Sequence, residues 1–151
     1  MALGPLISSN QRDHAKDILD RSVAAGAELL AGGDVNGLVM QPAVLKGVGE
    51  QMAAYREEIF GPVAVLVPFE SDDEAVIMAN DTEYGFAAAV ISNNVARAMA
   101  LGQRLHAGLI HINDQTVNDD VVNRSGGVAA SGNATSIGGP PIGRSLRTGS
   151  G

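Results

Sequence analysis

From Val63 onward, short apolar runs alternate with stretches of helical spacing, and this alternation limits what the chain can fold into more than any other feature. Val63-Ala64-Val65-Leu66-Val67-Pro68-Phe69 is continuous enough for a strand buried on both faces. Ser71-Asp72-Asp73-Glu74 follows as a capping box, in which a serine oxygen and a glutamate carboxylate take up free amide hydrogens at a helix start. That helix is predicted to run through Asn80, and Gly85 to Ile91 reads as the next strand. Asn94 to Leu105 reads as a helix with Val95, Ala98, Met99 and Leu105 inward and Gly108 as its stop, and Leu109 to Ile112 as a further strand. Parallel neighbours need a crossover, so strands spaced by helices predict two βαβ units. The expected class is α/β, three-layered, with a mostly parallel sheet.

Upstream, Ala15, Ile18, Leu19 and Val23 recur at helical spacing, with Ser8 or Ser9 available as an N-cap and Gly26 as a stop, which predicts an amphipathic helix over 9–26. Ala27 to Ala31 predicts a strand, Gly32-Gly33-Asp34 a turn, and Val39 to Val48 an edge or loop-like strand interrupted by Pro42. A chain of 151 residues can bury roughly 70% of the surface it exposes when unfolded. Only 3% of residues are aromatic, so the core has to be built from Ala, Val, Leu, Ile and Met. After Asn113, glycine, serine and asparagine displace the apolar anchors, and too little can be buried to offset the entropy of ordering. The expected organisation is one domain over 1–137 and a flexible Gly/Ser/Pro-rich tail over 138–151.

Several function classes fall away on charge and composition. Ten Lys and Arg against 17 Asp and Glu leave a formal charge of -7, which repels phosphate backbones and anionic lipid, so neither nucleic acid nor membrane is an expected partner. No run approaches the ~20 apolar residues of a bilayer span. Residues 1–13 lack the charged-then-apolar order of a signal peptide, and a cytoplasmic location is expected. With no cysteine, the chain itself has no disulfide, thiolate metal site or thiol nucleophile. His14, His106 and His111 are not spaced with carboxylates as metal ligands, and no metal site is expected. Ser131 has no base beside it in sequence, and the glycines at 126, 127, 132, 138, 139 and 143 do not join a strand to a helix as a phosphate cradle does. No catalytic residue is assigned to this chain.

Arg56-Glu57-Glu58-Ile59-Phe60-Gly61-Pro62-Val63, preceded by Pro42 to Val48 and followed by Ala79 to Ser92, resembles the C-terminal part of the aldehyde dehydrogenase superfamily. Gly108-Leu109-Ile110-His111-Ile112-Asn113-Asp114-Gln115-Thr116-Val117-Asn118-Asp119 is most similar to the branch that oxidises benzaldehyde, vanillin and salicylaldehyde. The resemblance runs from residue 4 to about 133 and implies the catalytic-domain fold of that family, incomplete, over 1–137. It implies NAD or NADP as cofactor, with Glu58 accepting hydrogen bonds from the nicotinamide ribose and Phe60 lying against the nicotinamide. A diol offers two donors and a carboxylate two acceptor oxygens, which is the chemistry such a contact needs. It also implies that the loop opened by Asn113 lies at the mouth of the substrate tunnel. Read from residues alone, Glu57-Glu58 is a solvated turn, and Leu109 to Asn113 is an edge strand with His111 on one face and Asn113 capping the turn; both readings stay open here. One departure stands out: Arg124 and Ser125 occupy positions where the family has Pro and Phe. Loss of that ring removes apolar contact worth roughly 1–3 kcal/mol to an aromatic substrate.

In the family, a cysteine thiolate attacks the aldehyde, hydride passes to the cofactor, and a thioester is hydrolysed. The cysteine, a separate general-base glutamate and the dinucleotide-binding region are expected upstream of the matched portion. The resemblance therefore implies a small-molecule aldehyde substrate but a chain inactive alone. It also leaves open an assembly module that associates with itself or with a complementary dehydrogenase chain, and a small enzyme with a rebuilt, cysteine-free site.

Overall fold

A computed structural model describes residues 3–117 and 126–132 and divides the chain into two compact units, Met1–Phe69 and Glu70–Gly151. The first unit opens with helix α1, Ser9–Ala24, whose N-cap Ser8 accepts a hydrogen bond from the Gln11 amide at 3.2 Å. Ala15, Ile18, Leu19 and Ser22 form its buried stripe. Val23, expected inward, is 39% exposed, because position 22 lies two full turns from Ala15 while 23 is rotated a further ~100° away. Strands β1, Glu28–Ala31, β2, Val35–Asn36, β3, Val39–Met40, and β4, Ala43–Lys46, then lead to the short helix α2, Ala53–Arg56, and strand β5, Val63–Leu66.

Strand β4 lies between β1, to which it is antiparallel, and β5, to which it is parallel with Ala43 opposite Val63 and Lys46 opposite Leu66. The edge or loop-like strand expected over Val39 to Val48 is thus corrected. It splits into β3, which pairs with β2, and a central strand. Pro42 stands just outside the β4 ladder, and Ala43 makes the first bond, to the Pro62 carbonyl at 2.8 Å, so the missing proline N–H costs the sheet nothing. Ala43 and Leu45 point from β4 into the core with Ile18, Leu19 and Met40. Among the described residues no buried apolar side chain is aromatic, as the composition demands.

The second unit comprises helix α3, Asp72–Asn80, strand β6, Ala87–Val90, helix α4, Val95–Gly102, strand β7, Leu109–Ile112, and a 3-10 turn over Ala129–Ser131. The expected cap forms with its second bond one residue early: Ser71 Oγ accepts from the Glu74 amide at 3.2 Å, and the Glu74 carboxylate accepts from the Glu70 amide, just before the cap residue, at 2.7 Å. Strands β6 and β7 pair in parallel, Ala87 opposite Leu109 through Val90 opposite Ile112, with α4 as their crossover. Of the two expected βαβ units the second joins directly paired strands, while β5 is hydrogen-bonded to β4. On α4 it is Ala98 and Gly102 that are buried, and a Cβ at Gly102 would stand 2.9 Å from the Ile110 side chain. Small residues let this helix sit close on its strands, which leaves Val95 and Met99, expected inward, 53% and 54% exposed.

The class is α/β, with parallel pairing in both units. Among the described residues no helix is long and apolar enough to cross a membrane. The expected boundary at 137/138, the expected tail and the departure at Arg124 and Ser125 lie outside the described residues.

Candidate functional site

One face of α1 holds the segment Glu57 to Gly61 at four points. Arg21 donates to both oxygens of the Glu57 carboxylate, at 2.9 and 3.1 Å, while its Nε engages Asp17 at 2.8 Å. This two-point bond from Arg21 holds the Glu57 carboxyl below its ordinary range. His14 Nε2 lies 3.2 Å from the Glu58 carbonyl oxygen, and Gln11 Nε2 donates to the carbonyls of Ile59 and Phe60 at 3.2 and 3.0 Å. Gly61 meets α1 where a side chain would not fit: a Cβ there would fall 2.8 Å from that of Ala15. Positions 11, 14, 15, 18, 21 and 22 are one helical stripe, so the surface that buries Ile18 and Ser22 also grips this segment at its edge. Buried Ser22 contributes too, accepting from the Ala54 amide at 2.9 Å and so fixing α2, which leads into Glu57.

The glutamate pair is divided by this arrangement. Glu57 is an anchor, whereas no donor among the described residues reaches the exposed Glu58 carboxylate. Ile59 packs against the core, and Phe60 turns outward with its side chain 71% exposed. Phe60 does so at a φ of +50°, a left-handed conformation that costs a non-glycine residue about 1–2 kcal/mol. Two hydrogen bonds from Gln11, at about 1 kcal/mol each, are enough to offset it. The result is a fixed backbone that presents an unpaired carboxylate and an aromatic ring with one residue between them. Those groups fit a nicotinamide riboside: two acceptor oxygens for a diol and an apolar face for a planar ring.

Asn113 belongs to the second unit. Its φ is +57°, its amide donates to the Val90 carbonyl at 2.9 Å, and its side-chain oxygen accepts from the Ser92 amide at 2.8 Å. It therefore caps the ends of β6 and β7, with its side-chain oxygen engaged by the Ser92 amide. His111 lies in β7, with Nε2 buried and without a partner among the described residues. Ser131 has a structural task, since its Oγ accepts from the Gly85 amide at 3.0 Å and helps to fasten the segment 126–132 to the turn before β6. Gly108 explains how close that segment comes: a Cβ there would lie 1.7 Å from the Gly126 carbonyl oxygen. Among the described residues no group of three His, Asp or Glu side chains gathers as metal ligands do.

Sequence reasoning singled out Glu58, Phe60 and Asn113, and among the described residues two of these, with Ala129, are the non-glycine positions of positive φ. It missed Gln11 and Ser22 and weighed His14 only as a metal ligand. Their common signal is the spacing 11, 14, 15, 18, 22, whose polar members look like surface residues until a second segment is placed on them.

The sequence profile of the aldehyde dehydrogenase family matches residues 1–142. A vanillin dehydrogenase of an Amycolatopsis species is 44% identical over 140 residues, which are 93% of this chain and 29% of that protein. A benzaldehyde dehydrogenase of Bacillus subtilis is 39% identical over 130 residues, 86% of this chain and 27% of that one. Among solved structures, betaine aldehyde dehydrogenase of Staphylococcus aureus, in complex with NAD+, superposes with a TM-score of 0.84 at 32% identity, covering 90% of this chain and 28% of that chain. The chain thus spans less than a third of the length of the curated relatives it matches. With a profile match over 142 of its 151 residues, this chain belongs to the aldehyde dehydrogenase family.

Proposed function

We propose that this chain supplies the ribose-facing and substrate-loop portion of an NAD(P)-dependent dehydrogenase that oxidises aromatic aldehydes to carboxylic acids, and that it is inactive alone. The observation that carries the reading is the exposed Glu58 carboxylate, unpaired among the described residues, beside the outward Phe60 ring on a backbone held by α1. In this reading Glu58 binds the ribose hydroxyls, Phe60 covers one face of the nicotinamide, and Asn113 opens the loop that meets the aldehyde. NAD or NADP, when bound, supplies the hydride acceptor. The residues of this chain orient that acceptor, and the thiolate that attacks the aldehyde comes from outside the chain's own composition, which contains no cysteine. Likeness to vanillin and benzaldehyde dehydrogenases supports an aromatic aldehyde, and a cytoplasmic location goes with the same reading.

The test has two parts. Purified chain with benzaldehyde or vanillin and NAD or NADP should form no reduced cofactor; turnover by the chain would sink the inactivity. Titration with millimolar NAD should move the amide resonances of Glu58 to Gly61, and Glu58→Ala should abolish that response. An undiminished response in the variant would remove Glu58 from the cofactor site.

A second reading is an assembly module that associates with itself or with a complementary dehydrogenase chain. It is favoured by Ile91, Val95 and Met99, which leave the second unit with exposed apolar side chains around the start of α4. Sedimentation as a monomer at all concentrations, with no binding to a full-length relative, would count against it.

A further inference from the structure

The geometry points to Gln11 as a positioning residue whose side-chain amide, donating to two consecutive carbonyls, holds Phe60 in its left-handed conformation and so aims both Glu58 and Phe60. This rests on the reading of those two groups as cofactor-facing. In an extended chain consecutive carbonyls face opposite ways, so one donor group reaches both only where the residue between them leaves the extended region. Phe60 is that residue, with φ +50°, and the carbonyls on either side of it are the two that Gln11 Nε2 binds, at 3.2 and 3.0 Å. Carbonyls only accept, so the task requires the amide nitrogen of Gln11 and its two hydrogens. Glutamate at position 11 would keep the length and face both oxygens with negative charge. Leucine would keep the bulk and offer nothing.

The neighbouring contacts hold other atoms. His14 touches the Glu58 carbonyl, Arg21 the Glu57 carboxylate, and Ala15 the Gly61 backbone. Gln11 alone among them acts on the two carbonyls that define the Phe60 twist. Its own amide remains with the Ser8 cap, so substitution of the side chain leaves the helix start intact.

The experiment is NMR on the full chain carrying Gln11→Leu and, separately, Gln11→Glu. A left-handed residue gives a strong NOE between its own amide and α protons, and that signal at Phe60 should fall to the level of Ile59 in both variants. Amide protection in β4 and β5 reports that the unit remains folded, and Gln11→Glu serves if the leucine variant does not fold. The NAD concentration that half-shifts the Glu58 to Gly61 resonances should rise on the order of tenfold, the equivalent of ~1.4 kcal/mol. In a Phe60→Gly background, where positive φ carries no penalty, Gln11→Leu should lose most of its effect on the melting temperature. A Phe60 that stays left-handed in both folded variants overturns the positioning role. Release of Phe60 supports it even if Glu58→Ala leaves the NAD response untouched, an outcome that would defeat the ribose reading instead.

Discussion

Each of the two units is stabilised internally by a different balance of forces. In the first, Ile18, Leu19, Met40 and Leu45 are each no more than 1% exposed and form the centre of a continuous aliphatic core. In the second, among the described residues, the buried apolar side chains are Val76, Ala98 and Ala107, two of which are single methyl groups. Polar clasps supplement that small core. Arg97 pairs with Asp72 and Arg104 with Asp73, tying α4 and the turn after it to the start of α3. Asn80, at the end of α3, donates to the Arg104 carbonyl at 2.9 Å and accepts from the His106 amide at 2.8 Å. Meanwhile Ile77, Phe86, Ile91, Val95 and Met99 are at least half exposed. Burial is not screened by salt, whereas exposed ion pairs are, so the units should respond differently to the same perturbation.

The largest expected effect is in the first unit. Leu45→Ala should cost about 2–5 kcal/mol in urea denaturation, since it empties the middle of the central strand's core face. Val76→Ala, in the second unit, should cost about 1.5 kcal/mol, at ~0.8 kcal/mol for each buried carbon removed. Equal losses would show that the second unit hides a core as dense as the first. Comparable in size to Val76→Ala is Asn80→Ala, which removes two hydrogen bonds worth about 1 kcal/mol each and should raise amide exchange at His106 without changing it in β4. Faster exchange in both units would mean that they open together.

The smallest effect is on pH and salt. The Glu57 and Asp72 carboxyls are held below their ordinary values of 4.5 and 3.8, chiefly by hydrogen bonds from Arg21 and Arg97. The unfolded chain therefore takes up these protons first. The stability they contribute is present above the ordinary values and is lost as pH falls through them toward the lower folded ones. With less core to fall back on, the second unit should lose its amide protection first on acidification, and 1 M NaCl should shift its melting more than that of the first unit. Loss of protection in the first unit ahead of the second would reverse the ranking.

Much of this was legible from local rules. The Ser71 helix cap, the stop at Gly26 and the strand Leu109 to Ile112 are specified by residues close in sequence, and the structure forms each of them. The misreadings of helix faces share one cause. Val23, Val95 and Met99 have the right spacing for an inward face, but helical periodicity offers several apolar stripes and only the partner selects one. In α4 the strands selected the stripe of small residues, because close approach gains more contact than long side chains held at a distance. The path of Val39 to Val48 was misjudged because a proline reads as an edge signal until its place relative to the ladder is known.

For the candidate site, the motif from Arg56 to Val63 identified Glu58 and Phe60 as the residues to watch, and an aliphatic core and the α/β class followed from composition and periodicity alone. Nothing in the string Glu57-Glu58 says which carboxylate is an anchor and which is presented. That was decided by Arg21, Gln11 and His14, between 36 and 49 residues away in sequence from the groups they hold. Local sequence determines backbone preference and which face of an element is apolar, since those depend on neighbours within a turn or two. The direction of a charged or aromatic side chain at a turn depends on hydrogen bonds from another element, and only the folded chain brings that element alongside.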